Sequence, residues 1–219
     1  MTPVFYYHRV GPFRAGAPRK MTVTPENFKS QMHFLRRNGN RVLTLDQVLA
    51  GEPGVALSFD DGFKDCLEHA LPTLRALRFP ATFFIVAGAV GGTDDWMRVT
   101  AMPEERILGW DDLKELRDAG MTIGSHSMTH TTLSFHEIAE SRRVLEERLG
   151  VKVGHFAYPR GEHSPESVEW VRQAGYRAAW ATKSGGLEPF TRQRLPVSAN
   201  ATLADFGAKL LKARLGRYG

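Results

Sequence analysis

Short apolar runs alternate with helical patterns along the whole of this chain, and nothing else in the sequence constrains its fold so strongly. Runs with strand character fall at residues 4–10, 41–45, 55–59, 81–86, 121–124, 155–158 and 177–181, with a weaker one at 194–197. Between them the pattern predicts helices at 25–37, 63–77, 110–119, 135–149, 165–174 and 203–215. Boundary signals agree with these spans. Thr24-Pro25 puts Pro in a first helical turn, Asp118-Ala119-Gly120 and Gln173-Ala174-Gly175 end on Gly, and Ser164-Pro165-Glu166-Ser167 reads as an N-terminal cap. Strand-then-helix repetition implies a largely parallel sheet, either open and doubly wound or closed as a barrel. In both architectures catalytic residues gather where strands end.

With no internal repeat, low-complexity segment or separating linker, one α/β domain is expected over residues 1–219, a length that buries a substantial core. The formal charge of +5 would suit an anionic partner, but the basic residues are interleaved with Glu, as in Glu140-Ser141-Arg142-Arg143 and Glu146-Glu147-Arg148. That pattern reads as a solvated helix face, so no nucleic-acid partner is expected. The single cysteine, Cys66, excludes an intramolecular disulfide and a cysteine-rich zinc site. The first residues have no basic stretch followed by a long apolar one, and no apolar run elsewhere approaches the length of a membrane span. As written the chain reads as cytoplasmic, whereas a secreted or cell-envelope protein whose export signal had been removed would look the same. Nothing in the sequence speaks to oligomeric state.

Polar clusters fall at the expected strand ends: Asp60-Asp61-Gly62 after 55–59, Ser125-His126 after 121–124, and Pro159-Arg160-Gly161 after 155–158. Two adjacent carboxylates at the edge of a buried strand repel one another, which a purely structural Asp-Gly turn does not require. His126 and His130 stand four residues apart, close enough in a helical turn for both to reach one metal, and the Gly, Ser and Thr around them permit close backbone approach. Together the clusters supply two imidazoles and one carboxylate, plus a spare carboxylate. A metal hydrolase needs this set: three ligands leave open positions, and the free carboxylate takes a proton from water.

Leu57-Ser58-Phe59-Asp60-Asp61-Gly62 resembles the T/S-F-D-D-G motif, and His126-Ser127-Met128-Thr129-His130 the H-S/T-x-x-H motif, of the polysaccharide deacetylases that share the NodB homology domain, also called carbohydrate esterase family 4. The resemblance spans nearly the entire chain. It implies a distorted (β/α) barrel, Asp60 as general base, and Asp61, His126 and His130 as ligands of a divalent metal, zinc first, with cobalt, nickel or iron(II) as alternatives. Tyr7-His8-Arg9-Val10 fits the Y-H-x-V stretch of the circularly permuted branch that acts on poly-N-acetylglucosamine, and implies His8 as general acid. No His-bearing motif stands near the C-terminus, where Arg194-Leu195-Pro196-Val197 is found instead.

Phe156-Ala157-Tyr158-Pro159-Arg160-Gly161 resembles the third motif, F-R-P-P-Y-G in the wider family, and implies an oxyanion and substrate role for Tyr158, Pro159 and Arg160. It departs in two places. Ala157 replaces the arginine that orients the base, and Arg160 replaces a tyrosine whose backbone N–H helps to bind the oxyanion. A backbone donor survives a change of side chain. The Arg160 guanidinium could contact an anionic or hydroxyl-rich substrate, but the expectation is that it pairs with Asp60 in place of the missing arginine.

The resemblance thus implies hydrolysis of N-acetyl groups on an amino-sugar polymer: activated water attacks the acetyl carbonyl, Asp60 takes its proton, and His8 protonates the leaving amine. Three competing readings share the same residues: an oxygen-activating non-haem iron enzyme, a non-catalytic glycan-binding protein, and a deacylase of a non-carbohydrate amide or O-acetyl ester. Trp96, Trp110 and Trp180 are candidates for stacking on sugars or for ordinary packing; His33, His69, His136, His155 and His163 are assigned no metal role. Residues 88–108 and 11–22, long and without clear period, are expected to be loops that shape substrate access.

Overall fold

A computed structural model describes residues 2–13, 21–97, 105–182, 185–198 and 201–216. In chain order its elements are β1 (Val4–Tyr7), β2 (Arg9–Val10), β3 (Thr22–Val23), α1 (Pro25–Arg37), β4 (Val42–Leu43), α2 (Leu45–Leu49), β5 (Val55–Phe59), α3 (Asp65–His69), α4 (Leu71–Leu77) and β6 (Thr82–Ile85). After two short 3₁₀ turns at Ala87–Ala89 and Asp95–Met97 come α5 (Trp110–Asp118), β7 (Thr122–Ser125), α6 (Phe135–Leu149), β8 (His155–Ala157), α7 (Pro165–Gln173), β9 (Ala178–Ala181), β10 (Arg192–Gln193), β11 (Leu195–Pro196) and α8 (Leu203–Arg214).

The local chemistry accounts for most boundaries. Thr24 caps α1 by accepting from Asn27 N, and Phe28, Met32 and Leu35 give it a buried stripe at helical spacing. Ser134 caps α6, which ends at Gly150 in the left-handed region. Two expectations are corrected. The single helix expected over 63–77 is two helices meeting at Ala70, because Pro72 has no N–H to continue the ladder. The strand expected over 4–10 breaks at His8, after which β2 leaves the main sheet to pair with β3. The five residues of α2, held by the Thr44–Gln47 capping box, are too few for a period to announce them.

All pairings between named strands are parallel, and the main sheet runs β10-β9-β8-β7-β6-β5-β1-β11, with β4 beside the start of β5. The two ends of that order are consecutive in the chain, separated only by Arg194. Arg192 and Gln193 pair with β9 while Leu195 and Pro196 pair with β1, so residues 192–196 draw the sheet into a nearly closed barrel. Strand alternation then divides the side chains. Phe5, Leu57, Phe59, Phe83, Ile123 and Phe156 pack outward under the helices, and Val4, Ala56, Phe84, Ala157, Ala178 and Trp180 fill the inside.

Candidate active site

The chain leaves the barrel at the carboxyl end of each strand, and there the polar clusters meet. His8 follows β1, Asp60 and Asp61 follow β5, His126 follows β7, Pro159 and Arg160 follow β8, and Thr182 follows β9. Asp60 continues the inward set of β5 after Ala56 and Ser58, which is why its carboxylate points into the barrel mouth. His8, Asp60, Asp61, His126, His130 and Arg160 all border one cavity of about 250 Å³. A wider hollow of about 810 Å³, at the opposite end of the barrel beside Arg41, Arg192 and Arg214, brings no metal-ligating set together among the described residues.

Asp61, His126 and His130 offer ligand atoms that lie within 4.8 Å of one another, all buried. His126 Nε2 is 3.4 Å and His130 Nε2 3.5 Å from Asp61 Oδ1. Those separations are too long to satisfy the oxygen, and Asp61 Oδ1 has no hydrogen-bond partner among the described residues. His126 Nδ1–H donates to the Ala157 carbonyl at 2.8 Å, which leaves the Nε2 lone pair facing Asp61. Burial pushes Asp61 up, but the imidazoles around it prevail and pull it down to about 2. Burial lowers His126, and Asp61 and Asp60 raise it more strongly; a site that draws a proton in this way draws a cation for the same reason. Burial, helped by His126 and Arg160, brings His130 down to about 4, so that it is a neutral donor over most of the pH range. An orphaned buried carboxylate oxygen between two imidazole nitrogens fits a divalent metal.

His126 and His130 do not converge through a helical turn, as their spacing suggested. They stand on an irregular loop between β7 and α6, where Ser127 (φ 67°) and His130 (φ 60°) both occupy the left-handed region. Such a conformation costs on the order of 1 kcal/mol per residue and needs outside support. Ser127 Oγ accepts from His130 N at 3.0 Å, and Glu137, in the first turn of α6, accepts from Met128 N, Thr129 N and Thr129 Oγ1 at 3.1, 2.8 and 2.9 Å. On the other side Gly88 N donates to Met128 O at 2.8 Å, and a Cβ at Gly88 would stand 2.7 Å from that oxygen. Sequence reasoning missed Glu137; the only signal was an acidic residue three positions after the Ser134 cap.

Asp60 is paired, and with a residue that the sequence did not single out. Arg194 Nη1 and Nη2 donate to Asp60 Oδ1 and Oδ2 at 2.6 and 2.8 Å, and Nη1 also reaches Ser58 Oγ at 3.1 Å. The guanidinium lies 4.9 Å from the Tyr6 ring centre and 5.1 Å from that of Phe84, held between the two faces. Burial drives the Asp60 carboxyl upward, and Arg194, with His126 and His8, outweighs it and holds it below the ordinary range. This corrects the expectation that Arg160 might substitute for the arginine missing at Ala157. Both Asp60 oxygens are engaged by Arg194, delivered from the strand that closes the barrel.

Arg160 itself is exposed at the cavity rim, at φ 60° and ψ 4°. Its backbone N–H has no hydrogen-bond partner among the described residues. The next residue must be glycine, since a Cβ on Gly161 would fall 2.1 Å from Thr182 Oγ1. Tyr158 is not brought to the cavity; its ring turns outward and its hydroxyl donates to Phe190 O at 2.9 Å. Pro159 is buried and fixes the turn that presents Arg160.

His8 is half-buried at the break between β1 and β2, edge-on to Tyr6 with ring centres 5.5 Å apart. Its neighbour Arg9, fully buried, bonds Asp65 at 2.8 Å and Glu105 at 2.7 Å and so ties β2 to α3 and to the loop ahead of α5. Of the three tryptophans considered for sugar stacking, only Trp96 borders the cavity: its ring is 5.2 Å from that of His130, and its Nε1 is buried with no partner among the described residues. Trp110 packs beneath Arg148, and Trp180 lies inside the barrel and donates to His155 Nδ1 at 3.3 Å. Of the two loops expected to shape access, residues 14–20 and 98–104 lie outside the described residues, whereas Met21 and Trp96 border the cavity.

A barrel of parallel strands that gathers a buried Asp-His-His set and a second carboxylate at its carboxyl end has the layout of a metal-dependent hydrolase site, and the comparisons with known proteins give the family. The polysaccharide deacetylase family profile matches residues 48–179, and the chain belongs to that family. A Bacillus subtilis protein named as a candidate polysaccharide deacetylase is 23% identical over 94% of this chain and 75% of its own. The poly-β-1,6-N-acetyl-D-glucosamine N-deacetylase of Staphylococcus aureus is 22% identical over 78% of this chain, which spans 64% of that protein. The structure of IcaB from Ammonifex degensii superposes with a TM-score of 0.80 at 26% identity, covering 95% of this chain and 96% of that one. His8 and Arg194 both lie outside the span that the family profile matches. Family membership sets aside the iron-oxygenase reading.

Proposed function

We propose that the protein is a metal-dependent hydrolase that removes N-acetyl groups from an amino-sugar polymer or oligomer, releasing acetate. The observation that carries this is one cavity in which the buried Asp61–His126–His130 set stands beside an Asp60 carboxylate clamped by Arg194. Kinship with an N-deacetylase of a poly-N-acetylglucosamine supports a substrate of that chemical class.

A divalent cation held by Asp61, His126 and His130, zinc by the character of these ligands, would polarise the acetyl carbonyl and raise the acidity of a water beside it. Asp60, kept ionised by Arg194, accepts the proton of that water as its oxygen attacks the carbonyl carbon. Two parallel bonds to a guanidinium pinned between Tyr6 and Phe84 fix the carboxylate plane, so no reorientation precedes the transfer. The unpartnered Arg160 N–H is positioned to receive the negative charge developing on the acetyl oxygen. His8, on the β1 side, donates the proton that the departing amine requires. The C–N bond breaks, and acetate and a free amino sugar leave.

The test is acetate release from N-acetylglucosamine oligomers by protein stripped of metal and then resupplied with zinc, beside Asp60→Asn. Zinc-restored release that the substitution lowers by at least about 100-fold is expected. Zinc bound at the site without release would point to another acyl substrate, and failure to bind zinc would overturn the proposal.

A further inference from the structure

Arg160 carries a charge for which none of the described residues supplies a counterpart. Its guanidinium stands exposed at the rim of the cavity, and among the described residues it forms no ion pair or hydrogen bond. The obvious internal partner is taken, since Arg194 occupies both oxygens of Asp60. Nor does the backbone call for arginine: the left-handed conformation at φ 60° favours Gly, Asn or Asp. Formal charges around the cavity are Asp60 and Asp61 against Arg194 and Arg160, which balance before any metal is counted. A divalent cation would leave the mouth with a surplus of two positive charges. The bound acetamide is neutral and the amine released from it is cationic; the oxyanion and the acetate that follows it are transient and lie against the backbone N–H and the cation site, so the bound substrate's reacting group supplies no lasting partner for the Arg160 guanidinium.

We propose that Arg160 forms an anion subsite beside the reacting acetamide, and that the preferred substrate is an N-acetylated glycan bearing a carboxylate on the same or the adjoining sugar. A planar guanidinium binds a carboxylate through paired bonds, which sets the acetamide in register with the base. The inference rests on the deacetylase reading and narrows its substrate.

Two forms of one probe test it: O-carboxymethylated N-acetylglucosamine oligomers, and the same oligomers with those carboxyls converted to neutral amides. The readout is the ratio of kcat/KM for the acidic form to that for the neutral form, which a general loss of activity does not move. The native protein is expected to favour the acidic form by roughly tenfold or more, less so in high salt. Arg160→Gln should remove most of that preference, and Arg160→Lys, which keeps the charge, should retain part of it. A native ratio near or below one, or a preference that survives Arg160→Gln, overturns the subsite. Unmodified N-acetylglucosamine oligomers in the same assay separate the two failures: metal-dependent release from them without an acidic preference sinks only the subsite, and no release from any of the three overturns the deacetylase reading beneath it.

Discussion

Asp60 is a buried carboxylate whose ionisation depends chiefly on one neighbour, Arg194. With Arg194 in place, its two oxygens share a guanidinium that is itself fully buried. Arg194→Met would keep the packing against Tyr6 and Phe84 but leave the carboxylate desolvated and unpaired. We expect a loss of about 3–5 kcal/mol in stability, read from the denaturant midpoint, and an acid limb of the pH–rate profile displaced to higher pH. The direction follows from the competing causes, because without the guanidinium burial is opposed only by the weaker pull of His126 and His8. An unmoved acid limb would show that Arg194 does not govern the base. His155, at the other end of the barrel, makes a separate residue-scale prediction. It accepts from Trp180 at Nδ1 and meets Asp46 through Nε2 at 3.1 Å, an arrangement that requires the neutral ring. Burial, opposed by Asp46, lowers it to about 4. Between about pH 6.5 and 4 the unfolded chain takes up a proton that the folded one refuses, so stability falls as the pH falls, by up to about 3 kcal/mol. Denaturation at pH 7, 5.5 and 4.5 should show this slope, and His155→Gln should reduce it, leaving the share that comes from His130.

At the scale of elements, the metal ligands depend on a short loop braced from both sides. Ser127 and His130 adopt backbone conformations that their side chains disfavour, and Glu137 holds them there from the first turn of α6. The cap of that helix, Ser134, is independent of the brace. Glu137→Ala is therefore expected to leave the helix in place and to weaken zinc binding by about 10–100-fold, measured by competition with a chelating dye. Native zinc affinity in that variant would mean that the loop holds its own shape. The closing strand is the second such element. Its single residue between two ladders, Arg194, is the one that enters the barrel, so the contact that completes the sheet also completes the site.

For the whole molecule, the metal-binding set joins the ends of two non-adjacent strands, and a ligand that spans them stabilises the fold as a unit. Asp61 follows β5, and His126 and His130 follow β7, with β6 between them. Zinc at 100 times its dissociation constant should add about 2.7 kcal/mol to stability and raise Tm, a chelator should reverse the shift, and Asp61→Asn should abolish it. A Tm indifferent to zinc would place the metal elsewhere. Among the described residues no helix is long and apolar enough to cross a membrane.

The amino-acid sequence by itself determined the alternation of strands and helices, and with it a parallel sheet and chemistry at the strand ends. Asp60, Asp61, His126 and Arg160 were legible because each directly follows a strand, or lies a few residues beyond one, so chain continuity alone delivers them to the same end of the sheet. Tertiary structure decided which residues complete one another. Arg194 is 134 positions from Asp60, and no periodicity relates them. Whether the sheet stayed open or closed depended on residues 192–196 reaching both β9 and β1, in pieces of two residues, of which only the second left a weak strand signal, at 194–197, and neither showed its partner. The loop that joins the two histidines escaped for a related reason. Spacing reports a regular helix or strand, whereas left-handed turns held by a distant glutamate leave no period to read.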